Sequence, residues 1–271
     1  MNTPNFSKLF AEPKSLIGMI HVQALPGTPN NQLTVKEIAD QACQEAKILS
    51  ESGIQAIMLE NMHDVPYLNR DVGPEIVSAL TRIASDVQSV TNLPMGLQIL
   101  AGANQAALSV ALAAELDFIR AEGFVFGHLA DEGFMQSDAG ELLRFRKNVG
   151  AEHIQIFTDI KKKHSSHAMT QDIPLTDTVE AAEFFLSDGA IITGTHTGKP
   201  VDSQQLAEVY KASKLPVLVG SGVTPSGLSE IWDYSDAFIV GSYFKRDGNW
   251  QNDPDPERIS QLIEARTQLL K

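Results

Sequence analysis

Eight short runs rich in Ile, Val and Leu recur along the chain, and longer amphipathic stretches separate them. The runs are "LIGMIH" (16–21), "QAIMLE" (55–60), "MGLQIL" (95–100), "DFIRAE" (117–122), "HIQIFTDI" (153–160), "AIITG" (190–194), "PVLVG" (216–220) and "DAFIVG" (236–241). Most are continuous apolar segments, the pattern of parallel strands covered on both faces. Between them the apolar spacing is helical, with Ile76, Leu80, Ile83 and Val87 on one stretch and Ile259, Leu262, Ile263 and Leu270 on the last. Helix starts are marked too. Thr34 with Glu37 and Asp138 with Glu141 fit capping boxes, while Pro74, Pro225 and Pro256 follow Gly73, Thr224 and Asp255 as first helical residues. Four joints, "LSESGIQAI", "LAAELDFIR", "FLSDGAIIT" and "DYSDAFIVG", pass from helix to strand through a small or acidic turn, so one unit is used around the whole chain.

Eight such units in 271 residues match the roughly 250 of a (β/α)8 barrel. The rival is an open doubly wound sheet, which would carry a Gly-rich nucleotide turn after the first strand; here that strand runs into "HVQALPGTP". The expectation is an α/β protein, one (β/α)8 barrel domain over 1–271, with a lead segment at 1–14 and a lid loop at 123–137.

Composition narrows the function classes. A formal charge of −13 disfavours a binder of nucleic acid as a polymer, since phosphate backbones are held by clustered Lys and Arg. Cys43 is the single cysteine, so no intrachain disulfide forms, and its alanine neighbours read as a small buried helix position. The N-terminus lacks a signal-peptide pattern, and no apolar run approaches the ~20 residues of a membrane span. The expected location is the cytoplasm.

In a barrel, chemistry belongs at the C-terminal strand ends. There the sequence places His21; Glu60, Asn61 and Asp64; Gln98; Arg120 and Glu122; Asp159, Lys161, Lys163 and His164; Thr195 and His196; Ser221; and Ser242 and Lys245. Glu60 and Asp159, at the ends of apolar runs, are the carboxylates best placed to divide acid and base roles. Arg120 either orients a substrate carboxylate or pairs with Glu122. Strand alternation puts Asp159, Lys161 and Lys163 on one face. Lys163 there is an oxyanion or phosphate clamp, or an amine nucleophile. Lys162 and His167 read as loop surface, and Lys161 is undecided.

"VLVGSGVTP" and "FIVGSYFK" each end a strand in Gly-Ser. Loops after the seventh and eighth strands are where barrels often hold phosphate, and a helix start at Thr224-Pro225 would favour an anion. The competing reading is that the glycines only make tight turns. "GTHTGKP" (194–200) could extend the anion site through Thr195, but it lacks P-loop spacing. A catalytic transition metal is disfavoured, because His21-Val22-Gln23 replaces the His-x-His expected after the first strand.

At "LIGMIHVQALPGTP", "IMLENMHDVPY", "LLRFRKNVGAEHIQIFTDIKKKH" and "DAFIVGSYFKRDG" the sequence resembles the BtpA family over nearly its whole length. The resemblance implies a barrel similar to the ribulose-phosphate-binding group. It also implies a link to membrane-complex assembly in photosynthetic relatives, and with it peripheral membrane association. The family's Glu-Asn…Asp-x-Pro pattern falls on Glu60, Asn61, Asp64 and Pro66, its Asp-x-x-x-Lys-His pattern on Asp159, Lys163 and His164, and its Gly-Ser segments on Gly220, Ser221, Gly241 and Ser242.

Together these readings predict an enzyme (isomerase, lyase or hydrolase) for a small phosphorylated sugar or nucleoside-like metabolite. Its catalytic residues are Glu60, Asn61, Arg120, Asp159, Lys163 and His164. Phosphate is expected on Gly220, Ser221, Gly222, Gly241, Ser242 and Thr195, with no cofactor other than Mg²⁺ accompanying the phosphate, in a homo-oligomer. The alternative is a non-catalytic assembly factor that uses the barrel as a binding platform.

Overall fold

A computed structural model describes residues 4–194 and 200–271. Its sheet is a closed barrel of eight parallel strands: β1 (Ser15–His21), β2 (Ala56–Glu60), β3 (Met95–Gln98), β4 (Phe118–Ala121), β7 (Gln155–Ile160), β9 (Gly189–Ile192), β10 (Val217–Val219) and β11 (Ala237–Val240). Three short strands, β5 (His128–Ala130), β6 (Gly133–Met135) and β8 (Ser165–Ser166), form a separate antiparallel sheet. Each barrel strand pairs with its neighbours in chain order and β11 closes on β1. That closure removes the open-sheet alternative.

The barrel interior is set by side-chain alternation. Ile17 and Met19 on β1, Ala56 and Met58 on β2, Phe118 on β4, Phe157 on β7, Ile191 on β9, Leu218 on β10, and Ala237 and Ile239 on β11 form one buried apolar cluster. The helix Pro4–Leu9 closes the lower end. Phe6 and Phe10 are buried, Phe6 lies edge-on to Phe157 at 5.9 Å, and Phe10 sits 6.0 Å from Phe118. Gly96 faces this stack: a Cβ there would lie 2.1 Å from the Phe118 ring. The expected lead segment is therefore a plug. A second, larger core joins the outer faces of the strands to the helices, with Ile76, Leu80, Ile83 and Val87 all buried as the helical spacing predicts. On the last helix Ile259 and Leu262 are buried, but Leu270 is exposed beyond its end.

Some helix-start readings hold and two resolve differently. Thr34 and Glu37 form the full capping box, and Asp255 caps the helix Pro256–Leu269. Asp138 precedes its helix but does not cap it, because its carboxylate takes hydrogen bonds from Asn104 and Arg70. Thr224-Pro225 does not start a helix. The Thr224 hydroxyl accepts from the Gly227 amide in a turn, and only Leu228–Ile231 is helical, too short to supply the anion-favouring dipole expected there.

The 123–137 loop carries the β5–β6 hairpin. Asn69 donates to the Glu132 and Phe134 carbonyls, and Arg70 donates to the carbonyls of Gly102, Gly123 and Gln136, which fastens the hairpin's base.

Candidate active site at the barrel mouth

The alternation that fills the interior also builds the site. One step past the apolar layer, the inward positions are His21, Glu60, Gln98, Arg120, Asp159, Gly220 and Gly241, with His21 opposite Glu60 and Glu60 opposite Gln98 in register. Apolar side chains below and charges above follow from period-2 patterning at each strand end.

A cavity of about 230 Å³ opens on this layer. Its lining includes His21, Glu60, Arg120 and Lys163 together with Gly220, Ser221, Gly222, Gly241, Ser242 and Arg258. Both Gly-Ser segments thus share one space with the strand-end charges. Gly220 and Gly241 keep that space open. A Cβ on Gly220 would lie 2.6 Å from Ile191, and one on Gly241 would lie 3.2 Å from the His21 ring. Gly222 has φ +69°, the left-handed region, and its amide donates to no acceptor among the described residues. The Ser221 hydroxyl accepts from the Gly194 amide at 2.7 Å, which ties the β10 loop to the end of β9.

The charged groups are organised by a buried pair. Arg120 meets Asp159 through two 2.8 Å bonds, Nε to Oδ2 and Nη2 to Oδ1, with both side chains buried. Arg120 therefore pairs with Asp159 and not with Glu122, and Asp159 is committed to holding the guanidinium. Glu122 instead accepts from Gln98 at 2.9 Å and meets Lys162 at 3.0 Å. Burial raises the Glu60 carboxyl above its ordinary range, offset only in part by Arg120 and Lys163, so it is disposed to hold a proton. Burial, then the Lys245 charge, pushes His21 down to about 3. Its Nδ1–H donates to the Trp250 carbonyl at 3.1 Å. The neutral ring turns Nε2 toward Glu60 at 3.8 Å, and without a charge on the ring this contact is not an ion pair.

The run Lys161-Lys162-Lys163 divides three ways. β7 ends at Ile160, and Lys161 at φ 52° breaks the strand alternation assumed from the sequence. Lys161 turns to the carbonyls of Thr170 and Ile173. Lys162 is not loop surface: its side chain is 10% exposed, set between Glu122 and Glu132 at 3.0 and 3.8 Å, and it ties the hairpin to β4. Lys163 enters the cavity. His164 is exposed and lines a neighbouring depression with Lys163, Thr193 and Asp202. His167 bonds the Lys162 carbonyl through Nε2 at 2.8 Å, so it too has a structural partner.

Asn61 lies under the site, not in it. It donates to Asp64 at 2.8 Å and accepts from the Leu100 amide at 2.7 Å, while Asp64 accepts from the Leu25 amide. Thr195 falls outside the described residues. Two basic cavity residues, His21 and Arg258, fell outside the set expected from the sequence. His21 was visible at a strand end. Arg258 sits in the first turn of the last helix, its Nε donating to the Tyr243 carbonyl at 2.7 Å and its guanidinium 4.3 Å over the Tyr243 ring. Its only sequence signal was a cation at the positive end of a helix dipole, where it is unfavourable without an anion nearby. Among the described residues no three His, Cys, Asp or Glu side chains group to hold a metal ion.

The closed parallel barrel, with its polar layer at the C-terminal strand ends, defines a TIM-barrel protein. Solved structures bear out the fold. Thiamine phosphate pyrophosphorylase from Pyrococcus furiosus is similar at TM-score 0.59 and 11% identity, covering 95% of this chain and 97% of that one. Orotidine 5'-monophosphate decarboxylase from Methanocaldococcus jannaschii is similar at TM-score 0.56 and 15% identity, covering 93% and 98%. The BtpA family model matches residues 12–268, and the chain belongs to the BtpA family. An uncharacterized mitochondrial protein of Caenorhabditis elegans is 45% identical over 95% of each chain. Photosystem I biogenesis protein BtpA of Synechocystis is 31% identical over 97% of this chain and 91% of its own. No described helix is long and apolar enough to cross a membrane.

Proposed function

We propose that the protein is an enzyme acting on a small phosphorylated metabolite bound at the barrel mouth. The observation that carries this reading is that one cavity at the barrel mouth holds both the strand-end charges and the Gly-Ser loops. Glu60, Arg120 and Lys163 line it together with the Gly220–Gly222 and Gly241–Ser242 loops and Arg258. The loops give backbone close approach to a phosphate, and Arg258 supplies a charge to match it. The charged strand-end groups of the same cavity then face the reacting carbons. Glu60 moves a proton, Lys163 supplies a cation or a nucleophile, and Arg120, oriented by Asp159, stabilises developing negative charge. Barrels of similar fold include phosphoribosyl anthranilate isomerase and the two enzymes above, each named for a phosphorylated compound. Any Mg²⁺ would arrive on the substrate's phosphate, since the described donor groups build no cage for it.

The test is thermal stabilisation across a panel of sugar phosphates and nucleotides. Wild type should be stabilised by a subset of them, and Gly241→Val, which fills the phosphate side, should lose the effect while keeping its fold. Stabilisation equal in both proteins would refute the placement.

A second reading, an assembly factor, is favoured by the exposed apolar residues Leu129 and Phe134, 52% and 49% exposed and paired on the β5–β6 hairpin, and by the Synechocystis relative's name. A specific co-purifying protein partner, with no stabilisation by any phosphorylated metabolite, would select it.

A further inference from the structure

We propose that Lys163 is a nucleophile that forms an imine with an aldehyde or ketone carbonyl of the substrate. The inference rests on the reading above and names the substrate class as phosphorylated carbonyl compounds.

The contrast among the lysines carries it. Each of the other buried or half-buried lysine amines described around the barrel ends is occupied. Lys14 donates to the carbonyls of Trp232 and Ser235 at 2.5 and 2.6 Å. Lys161 bonds two carbonyls, Lys162 lies between two carboxylates, and Lys245 meets Glu45 at 2.5 Å. Lys163 alone in this group has no hydrogen bond or ion pair with a described residue, and it projects into the cavity. A lysine kept for structure would be paired in the way the other four are. Burial, and next the charge of Arg120, lower its amine below the ordinary lysine value, so more of it carries a lone pair at neutral pH. Arg120 cannot drift to relieve this repulsion, because both of its bonds to Asp159 fix it.

The chemistry balances without an oxidant or reductant. The Nζ lone pair adds to the carbonyl carbon, and one N–H proton passes to the former carbonyl oxygen to give a carbinolamine. Glu60 then gives its proton to that hydroxyl, which leaves as water as the nitrogen lone pair forms C=N. Neutral amine, carbonyl compound and protonated Glu60 become iminium, water and ionised Glu60. Ionised Glu60 is next a base beside a carbon whose C–H or C–C bond the iminium has weakened. That sequence suits isomerase or lyase chemistry and disfavours hydrolysis.

The experiment is reductive trapping on the full chain. Pyridoxal 5'-phosphate and dihydroxyacetone phosphate serve as probes with sodium cyanoborohydride at limiting concentration, and labelled lysines are mapped by peptide mass. Lys163 should label faster than the exposed Lys8 and Lys47, because its amine has a lowered pKa and faces the cavity that would hold the probe. Lys163→Arg should lose the fast adduct, and inorganic phosphate should slow it. Labelling of wild-type Lys163 no faster than Lys8 and Lys47 overturns the imine, whatever the variant does. If phosphate stabilises the protein and Lys163 stays unlabelled, the imine fails and the phosphate site stands. Fast labelling by unphosphorylated dihydroxyacetone, with no effect of phosphate, leaves the imine and removes the phosphate site.

Discussion

Arg120 and Glu60 are both buried at inward positions of the barrel mouth, yet their substitutions should fail in different ways. Arg120→Met strands the Asp159 carboxylate without its two bonds, and removing one partner of a buried pair costs about 3–5 kcal/mol. Urea unfolding should show that loss before any activity is considered. Glu60→Gln keeps shape and hydrogen-bonding capacity, so stability should hold within about 1 kcal/mol. Turnover of the true substrate, in contrast, should drop by about 10²–10⁴, the usual worth of a positioned acid or base. At this scale the sequence was informative for strand residues and poor for those beyond them. Glu60, Arg120 and Asp159 were placed by their positions at the ends of apolar runs. Lys162 and His164 were misplaced because the positive φ of Lys161 resets the facing of each later residue, and no composition signal marks a lysine as left-handed. Arg258 was missed because its partner in the site, the Gly241–Tyr243 turn, is remote from its own helix in pattern.

Among the elements, the helix Pro4–Leu9 acts at the opposite end of the barrel from the cavity. Phe6 and Phe10 complete an aromatic stack with Phe118 and Phe157 that the strands alone leave open below. Phe6→Ala should cost about 3–5 kcal/mol in denaturant unfolding while leaving ligand affinity unchanged within error. A parallel loss of affinity would mean that the plug and the mouth are coupled. From sequence this helix read only as a lead segment, since six residues carry too little periodicity to show a face. The β5–β6–β8 sheet was likewise read as a loop. Its strands are two or three residues long and are held by Asn69, Arg70 and Lys162 from other parts of the chain, contacts that no local pattern contains. The eight barrel strands, by contrast, were legible, because burial on both faces leaves short apolar runs bounded by turns.

For the whole molecule, burying ionisable groups at one end makes stability depend on pH. His21 is held down to about 3, against about 6.5 in an unfolded chain. Below pH 6.5 the unfolded state takes a proton that the folded state refuses, so this contribution is complete above 6.5 and is lost progressively as pH falls toward 3. Burial, then His167, pulls His128 down to about 4, with the same sign. Burial lifts Asp138 to about 6 despite Arg70, and this opposes them: the unfolded carboxyl ionises first, so its contribution falls as pH rises from 3.8 to 6. His21→Asn should therefore show a shallower loss of melting temperature between pH 6.5 and 4 than wild type. An identical slope would mean that His21 is charged in the folded protein.

The central claim is that the mouth of this barrel is built for a phosphorylated metabolite. It is tested most directly by a crystal structure of the full chain grown with inorganic phosphate or a stabilising sugar phosphate. The account predicts a phosphate on the Gly220–Gly222 and Gly241–Ser242 loops beside Arg258, with the rest of the ligand directed toward Glu60 and Lys163. A stabilising ligand bound elsewhere, with those loops empty and Arg258 turned away, would contradict it.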